Sequence, residues 1–198
     1  MKAMILAGGY GTRLAEETDV RPKPMVEIGG RPIMWHIMKH YERHGITEFV
    51  ICLGYKAEYI KKFFLDYAAT LSDFTVDLNN QAVEVHKQRA ENWKVTLVDT
   101  GRDTMTGGRI KRAIDFVNPD EPFCLTYGDG LSDVDIAGSV EFHKSHGKMC
   151  TVTAVTPPGR FGVLDIREDN AVTGFREKIA SDQYRINGGF FVLDPGVK

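Results

Sequence analysis

The sequence predicts an α/β fold in which a mostly parallel sheet is flanked by helices. A short apolar run at residues 3–7 ends in glycines, which is typical of a buried strand. A helix-period pattern at 33–44, a second apolar run at 48–54 and another helix-period pattern at 57–71 follow it. This βαβα order is typical of parallel strands joined by right-handed crossovers. Beyond residue 149, shorter apolar runs predict a smaller, partly antiparallel lobe stacked on the parallel core.

The composition limits the class of protein. The 198 residues are 42% hydrophobic and 26% charged, which is enough for one domain with a sizeable core. The net charge of -2 gives no support for a nucleic-acid or anionic-membrane partner. No apolar stretch approaches bilayer length, and no signal-peptide pattern opens the chain. Three widely spaced cysteines in apolar runs, Cys52, Cys124 and Cys150, indicate small buried residues in a reducing, cytoplasmic compartment.

The first strand leads into the glycine-rich turn Gly8-Gly9-Tyr10-Gly11, which Thr12-Arg13 follows. Glycines there let backbone N–H groups approach a phosphate, and Arg13 and Lys23 supply the positive charge that phosphates need. The P-loop is excluded because Gly-Lys-Ser/Thr is missing, and the dinucleotide fingerprint is excluded by Leu14. The turn is therefore a phosphate loop of another kind or only a tight turn. The two cations and the prolines on either side of Lys23 favour the phosphate loop.

Apolar residues at helical spacing, with Pro32 before them and Gly45 after them, predict the helix at 33–44. Its other face carries His36, His40 and His44, four residues apart. Histidines at this spacing can hold zinc. No carboxylate or cysteine partner is suggested, so the pattern favours a solvated or interface face.

The middle of the chain predicts an excursion and then a return to the core. Short apolar runs at 74–76, 83–85 and 95–98 indicate short strands. The turn at 104–109 then opens a helix, where free N–H groups could bind a nucleotide base or phosphate. The alternative is that Thr106 only caps that helix.

A further buried strand at 122–129 ends in Gly128-Asp129-Gly130. An aspartate at the carboxyl end of a parallel strand suits Mg²⁺, which binds through one or two carboxylates plus substrate phosphates. The alternative for Asp129 is an Asx turn or a helix cap, a role that Asp133 and Asp135 fit better.

From residue 135 onward the sequence predicts a helix at 135–146 closed by Gly147, and then several strands. Two polar clusters, Glu177-Lys178 and Asn187-Gly188-Gly189, stand beside apolar runs. They could bind sugar hydroxyls and a second phosphate, or only solvate strand ends.

The run Gly8-Gly9-Tyr10-Gly11-Thr12-Arg13-Leu14, with Lys23-Pro24 after it, resembles the opening signature of the sugar-nucleotidyltransferases, the nucleotide-sugar pyrophosphorylases. Further stretches resemble the glucose-1-phosphate cytidylyltransferase branch of that family; they are 22–41, 95–112, 126–136, 157–166 and 186–195. The resemblance implies a Rossmann-like nucleotidyltransferase domain over 1–198. Its nucleotide-binding core would be 1–148, and its sugar-binding part 149–198.

The resemblance also implies a role for individual residues. The loop that wraps the CTP phosphates would be Leu6, Ala7, Gly8, Gly9, Tyr10, Gly11, Thr12 and Arg13. Lys23 would lie on the α-phosphate and Asp129 would bind Mg²⁺. The other nucleotide contacts would be Thr104, Arg109 and Gly128. Glu177 and Lys178 would bind the sugar phosphate, with Gly162 and Asn187 on the sugar side.

The reaction implied is in-line attack by the phosphate oxygen of glucose 1-phosphate on the α-phosphorus of CTP, with pyrophosphate leaving. It needs alignment of two polyanions and cancellation of charge, which Arg13, Lys23 and the Mg²⁺ on Asp129 would provide. The resemblance further suggests deoxysugar synthesis for a bacterial surface polysaccharide and a homo-oligomer. From the net charge and the lack of a long apolar stretch we expect no nucleic-acid or membrane partner.

The chain also departs from the family pattern. Ile179 stands where proline usually follows the Glu-Lys pair. Members of this branch continue beyond the position of Lys198, where they carry a second metal-binding aspartate and further subunit contacts, so we expect the C-terminal portion to be missing. The alternatives are a relative that uses dTTP or UTP and a nucleotide-binding domain without turnover.

Overall fold

The computed structural model describes residues 1–10, 21–156, 163–176 and 185–197 of the chain. The strands in these ranges are β1 (Ala3–Leu6), β2 (Glu27–Ile28), β3 (Arg31–Pro32), β4 (Glu48–Leu53), β5 (Asp73–Asp77), β6 (Ala82–Lys87), β7 (Lys94–Asp99), β8 (Phe123–Tyr127), β9 (Cys150–Val155), β10 (Val163–Ile166), β11 (Val172–Arg176) and β12 (Ile186–Leu193). The helices are α1 (Ile33–Arg43), α2 (Ala57–Thr70), α3 (Thr106–Ala113) and α4 (Ile136–His146), with short 3₁₀ turns at Lys23–Met25 and Ile114–Phe116.

The centre of the molecule is a six-stranded sheet in the order β7-β4-β1-β8-β12-β9. The first four strands run parallel, with Ile5 of β1 opposite Ile51 of β4 on one side and Thr126 of β8 on the other. β12 pairs antiparallel with both β8 and β9. The predicted α/β fold with a mostly parallel sheet is therefore confirmed.

Both faces of this sheet are covered by helices. Ile5 and Ile51 point into the apolar cluster that includes Met38 of α1 and Ile60 of α2. Met4 points to the opposite cluster, where Ala113 ends α3. Because side chains alternate along a strand and both faces are covered, the central strands are apolar at almost every position, with Thr126 of β8 a buried polar exception.

The predicted helices are present close to their expected bounds. α1 begins after Pro32, and the chain leaves it through Gly45, whose φ of 79° favours glycine. α3 ends at Ala113 and tightens into a 3₁₀ turn, so the predicted apolar face through Val117 is buried but not wholly α-helical. None of the helices in the described ranges is both long enough and apolar enough to cross a membrane.

The histidine face of α1 makes contacts within the chain. His36 Nε2 lies 2.9 Å from the Ile28 carbonyl oxygen and His40 Nε2 lies 2.9 Å from that of Val134. A carbonyl oxygen can only accept, so each Nε2 carries a proton toward it. In the part of the chain that is described, no group of three or more metal-ligating side chains occurs, here or elsewhere.

The expected excursion is the antiparallel hairpin β5–β6, after which β7 joins the central sheet beside β4. The expected antiparallel strands at the end of the chain are also present. Two of them, β9 and β12, extend the central sheet, because Val192 and Phe190 of β12 are buried in the same core. β10 and β11 form a separate two-stranded ribbon.

Candidate active site

An open cavity of about 500 Å³ lies beyond the carboxyl ends of the parallel strands. Its lining residues are Leu6, Ala7, Gly8, Gly9, Tyr10, Lys23, Pro24, Arg102, Asp103, Thr104, Met105, Thr106, Arg109, Tyr127 and Asp129. This edge is where open α/β sheets bind their ligands, and the volume suits a small molecule.

Backbone hydrogen bonds on both sides hold the end of β1 and Gly8, the first residue of the glycine loop, whose described part is Gly8–Tyr10. The Ala7 N–H donates to the Cys52 carbonyl at 3.0 Å, and the Tyr55 N–H donates to the Gly8 carbonyl at 3.2 Å. On the other side the Gly128 N–H donates to the Leu6 carbonyl at 2.9 Å. A Cβ atom on Gly128 would lie 3.0 Å from that same carbonyl oxygen, so a glycine lets the two strands end this close together.

Lys23 and Asp129 form an ion pair at the rim of the cavity, with 2.5 Å between Nζ and Oδ2. Lys23 belongs to a 3₁₀ turn in which the Met25 N–H donates to the Pro22 carbonyl at 2.8 Å, and Pro24 beside it is buried. Asp129 follows β8 directly. The two side chains are only 22% and 37% exposed, so the pair is half-buried. The two residues are 106 positions apart in the sequence.

Asp129 fits a magnesium ligand by its position and by the chemistry of its neighbours. It lies on the same cavity wall as the glycine loop, where phosphates would bring further oxygen ligands. Asp135 has a different role, because its Oδ1 accepts from the Gly138 N–H at 3.0 Å and caps α4. The capping role expected for Asp135 is therefore confirmed.

The turn before α3 forms the wall opposite the loop. Thr104 Oγ1 accepts a hydrogen bond from Arg112 Nη1 at 2.6 Å, which fixes the side chain of Thr104. Met105 is the N-cap of α3 and its side chain makes no capping hydrogen bond, so Thr106 is the first helical residue and not its cap.

Arg109 extends from α3 under the glycine loop and is only 5% exposed. Its two Nη atoms donate to five oxygen atoms within 3.1 Å; the acceptors belong to Gly8, Leu53, Thr100, Gly101 and Arg102. Burial lowers the pKa of the guanidinium, although it stays charged at any ordinary pH. The expected contact of Arg109 with a nucleotide stays a prediction.

Tyr10, Arg102 and Asp103 line the cavity and contact one another, with Tyr55 beside them. The Tyr10 hydroxyl donates to Asp103, and the Arg102 guanidinium lies 5.7 Å from the Tyr10 ring centre and 5.6 Å from that of Tyr55. The hydrogen bond to Asp103 raises the pKa of Tyr10. Sequence reasoning missed Arg102 and Asp103. The only signal was their position just before the turn at 104–109, inside one of the stretches of family resemblance.

Of the sugar-side residues, the structure describes Asn187. Its Nδ2 lies 3.4 Å from the Tyr127 hydroxyl, and its Oδ1 accepts from the Gly189 N–H at 2.8 Å. Tyr127 lines the cavity, so Asn187 stands just outside its wall. The remaining predicted site residues lie outside the described ranges; they are Gly11, Thr12, Arg13, Gly162, Glu177 and Lys178.

The structure thus brings the described loop residues, Lys23, Thr104, Arg109 and Asp129 to one cavity, with Gly128 packed behind Leu6. It offers neutral N–H groups, cations and the carboxylates of Asp103 and Asp129 at the mouth. Such a site can bind a polyanion and a metal ion together.

Comparisons with known proteins agree with this geometry. The family model described as Nucleotidyl transferase matches residues 2–198. The chain is 58% identical over 197 residues to the glucose-1-phosphate cytidylyltransferase of Salmonella typhimurium, covering 100% of this chain and 76% of the relative. It is 47% identical to the probable glucose-1-phosphate cytidylyltransferase of Bacillus subtilis, with the same coverage.

Among solved structures, HddC from Yersinia pseudotuberculosis complexed with GMP-PN is similar, with a TM-score of 0.62 and 27% identity. The match covers 98% of this chain and 77% of that one.

Proposed function

The chain belongs to the nucleotidyl transferase family, and on that premise we propose that it forms CDP-glucose and pyrophosphate from CTP and glucose 1-phosphate. The choice of these substrates is supported by the similarity to the Salmonella and Bacillus cytidylyltransferases over the whole chain. The observation that carries the chemistry is the ion pair of Lys23 and Asp129 beside the glycine loop.

The reaction needs no nucleophile from the protein, because the attacking phosphate oxygen of glucose 1-phosphate is already ionised. What the site must supply is alignment and charge cancellation at the α-phosphate. Lys23 is held by its two prolines within reach of the loop, so it would exchange its partner Asp129 for an α-phosphate oxygen. Asp129 would then be free to bind Mg²⁺, which supplies further positive charge on the phosphates.

The other residues have supporting roles in this proposal. Leu6–Arg13 would wrap the triphosphate, and Thr104, Arg109 and Gly128 would surround the nucleotide. Glu177 and Lys178 would bind the sugar phosphate, with Gly162 and Asn187 along the sugar. The position of Asn187 beside Tyr127 supports that part of the proposal, since Tyr127 lines the cavity. Residues 1–148 would then bind the nucleotide and 149–198 the sugar.

We also propose the biological setting that such chemistry suits. The product would serve the synthesis of deoxysugars for a bacterial surface polysaccharide, in the cytoplasm, where CTP is made. A homo-oligomer fits the family. No nucleic-acid or membrane partner is proposed, and the net charge of -2 is consistent with that.

The experiment that tests this proposal measures pyrophosphate release from CTP, dTTP, UTP, GTP and ATP in separate reactions. Each contains the chain, glucose 1-phosphate and Mg²⁺, and a matched reaction replaces glucose 1-phosphate with glucose 6-phosphate. Release from CTP that requires glucose 1-phosphate is the expected result. Release from dTTP or UTP would instead indicate a relative with another nucleotide, and CTP binding without release would indicate a nucleotide-binding domain without turnover.

A further inference from the structure

We propose that Arg109 is a positioning residue whose buried guanidinium fixes the glycine loop Gly8–Tyr10 in its working shape before any nucleotide arrives. The inference deepens the proposed function, and its consequence for CTP rests on that function. The set of hydrogen bonds that Arg109 makes to the protein, called the clamp below, is present in the ligand-free chain and can be tested there.

The guanidinium ties together the ends of three neighbouring strands. Its Nη2 donates to the Gly8 carbonyl at 2.8 Å, just after β1. Its Nη1 donates to the Leu53 carbonyl at 2.9 Å, at the end of β4. Both Nη atoms reach the segment after β7, where the acceptors are Thr100 Oγ1, Gly101 O and Arg102 O at 2.8, 2.8 and 3.1 Å. Since β7, β4 and β1 are adjacent in the sheet, one side chain sets the relative positions of all three loops.

Two glycines make room for this side chain. A Cβ atom on Gly8 would lie 2.1 Å from Arg109 Nη1, and one on Gly54 would lie 2.4 Å from the same atom. Neither glycine has the left-handed backbone that favours glycine on its own account. A flexible side-chain end usually moves aside, but this one is held by five hydrogen bonds. Space for the guanidinium therefore explains why position 8 is glycine. Gly54 leaves room both for the guanidinium and for the Gly8 carbonyl oxygen, which a Cβ atom there would meet at 2.7 Å.

Among the described residues no carboxylate forms an ion pair with Arg109, and Asp99 acts on its charge only from a longer distance. All five acceptors are uncharged oxygen atoms. Where the structure describes arginine ion pairs, they belong to Arg21, Arg89 and Arg167. A buried cation under the loop therefore leaves a positive potential at the cavity wall, which the negative charge of a bound triphosphate would neutralise.

These contacts differ from those of a residue that only binds the nucleotide. The four N–H groups on the two Nη atoms already meet five protein acceptors, so a nucleotide contact through Nη would have to displace one of them. Thr100 strengthens the arrangement from behind. It is fully buried, and its hydroxyl donates to the Leu53 carbonyl at 2.6 Å while it accepts from Arg109.

The test uses the amide of Tyr55 as its probe, because that N–H donates to the same Gly8 carbonyl as Arg109. Hydrogen exchange is followed by NMR in the ligand-free chain and in the variants Arg109→Lys and Thr100→Val. Arg109→Lys keeps the positive charge but loses the planar guanidinium and its set of N–H donors. Thr100→Val removes one hydrogen-bond acceptor outside the cavity lining. The matched control is Lys111→Gln, an exposed cation on the same helix.

We expect Arg109→Lys to speed the exchange of the Tyr55 amide about tenfold or more, and Thr100→Val to speed it by a smaller factor. The Cys124 amide, which donates to the Lys2 carbonyl at the far end of the sheet, should exchange as before. The KM for CTP should rise in the order of the two exchange effects, with a smaller change in kcat.

Unchanged exchange at Tyr55 in both folded variants would overturn the clamp, even if CTP binding were lost, because Arg109 would then act only as a ligand. Faster exchange at Tyr55 and Cys124 alike would also overturn it, since the effect would be general loosening. Failure of the proposed reaction would appear instead as absent turnover in the unmodified chain, with the exchange result unaffected.

Discussion

Replacing Lys23 by alanine removes the cation that pairs with Asp129 at the rim of the cavity. If Lys23 stabilises the charge that develops on the α-phosphate, its loss should lower kcat by ~10²–10³, as for other preorganised charge-stabilising groups, or about 3–4 kcal/mol. The fold should survive the change. The 3₁₀ turn is held by main-chain hydrogen bonds to the carbonyls of Pro22 and Lys23, which alanine retains.

The structure predicts that Lys23→Ala changes the free energy of unfolding far less than the activation free energy of the reaction. The two side chains of the pair are 22% and 37% exposed, and ion pairs in contact with solvent contribute about 0–1 kcal/mol. For a domain of this size that corresponds to a fall in Tm of about 4 °C at most. A hundredfold loss of rate with so small a change in Tm cannot come from unfolding.

The assay is pyrophosphate release at saturating CTP, glucose 1-phosphate and Mg²⁺, with thermal unfolding followed on the same samples. The matched control is Lys39→Ala. Lys39 is 34% exposed and pairs with Glu42 on α1, away from the cavity lining, so its replacement should leave kcat unchanged. A kcat for Lys23→Ala within about threefold of the unmodified chain would show that Lys23 does not stabilise the charge on the α-phosphate.

Three further predictions follow from the same structure. Asp129→Asn should abolish most turnover and weaken Mn²⁺ binding in calorimetry with CTP present, whereas Asp133→Asn should change neither; equal Mn²⁺ affinity in both variants would contradict the ligand role. Ile51→Ala, at a fully buried position, should lower the free energy of unfolding in urea by about 2–5 kcal/mol, and Leu65→Ala, which is 80% exposed, by less than about 0.5 kcal/mol. Burial lowers the pKa of His40, so the unfolded chain takes up a proton first as the pH falls, and the free energy of unfolding should decrease below about pH 6.5. His40→Gln should reduce this dependence of the unfolding free energy on pH, as measured by urea titrations at pH 7 and pH 5. An unchanged slope in His40→Gln would show that other groups cause the decrease.

The elements that sequence reasoning predicted well are those whose signals are local. The helix at 33–44 has Pro32 before it, apolar residues at helical spacing and Gly45 after it, and the observed helix ends one residue short of the expected bound. The parallel strands were predictable for a similar reason, because a strand buried on both faces must be a continuous apolar run.

The direction of the last strands was predictable, but their partners were not. Nothing in the local pattern of β12 indicates that it pairs with β8, which lies about sixty residues earlier. Strand pairing at that distance is decided by the packing of side chains such as Phe190 and Val192 against the common core. The same holds for α3, where tertiary packing around Ile114 ends the helix earlier than its apolar pattern suggests.

The site was predictable as a location rather than as a set of contacts. Glycines after β1 and an aspartate after β8 both had to lie at the carboxyl edge of the sheet. The contact between Lys23 and Asp129 could not be derived, since the two residues are 106 positions apart and their contact depends on how the chain between them packs. The burial of Arg109 had no sequence signal either, because an arginine beside a Thr/Gly turn resembles an exposed ligand.

The formation of CDP-glucose can be followed in one sample by ³¹P NMR of the chain with CTP, glucose 1-phosphate and Mg²⁺. We expect the signals of CTP and glucose 1-phosphate to disappear together. Free pyrophosphate and the two coupled phosphorus signals of CDP-glucose should replace them in equal amounts. Signals of both substrates that persist at concentrations where CTP binds, or loss of CTP without loss of glucose 1-phosphate, would contradict it.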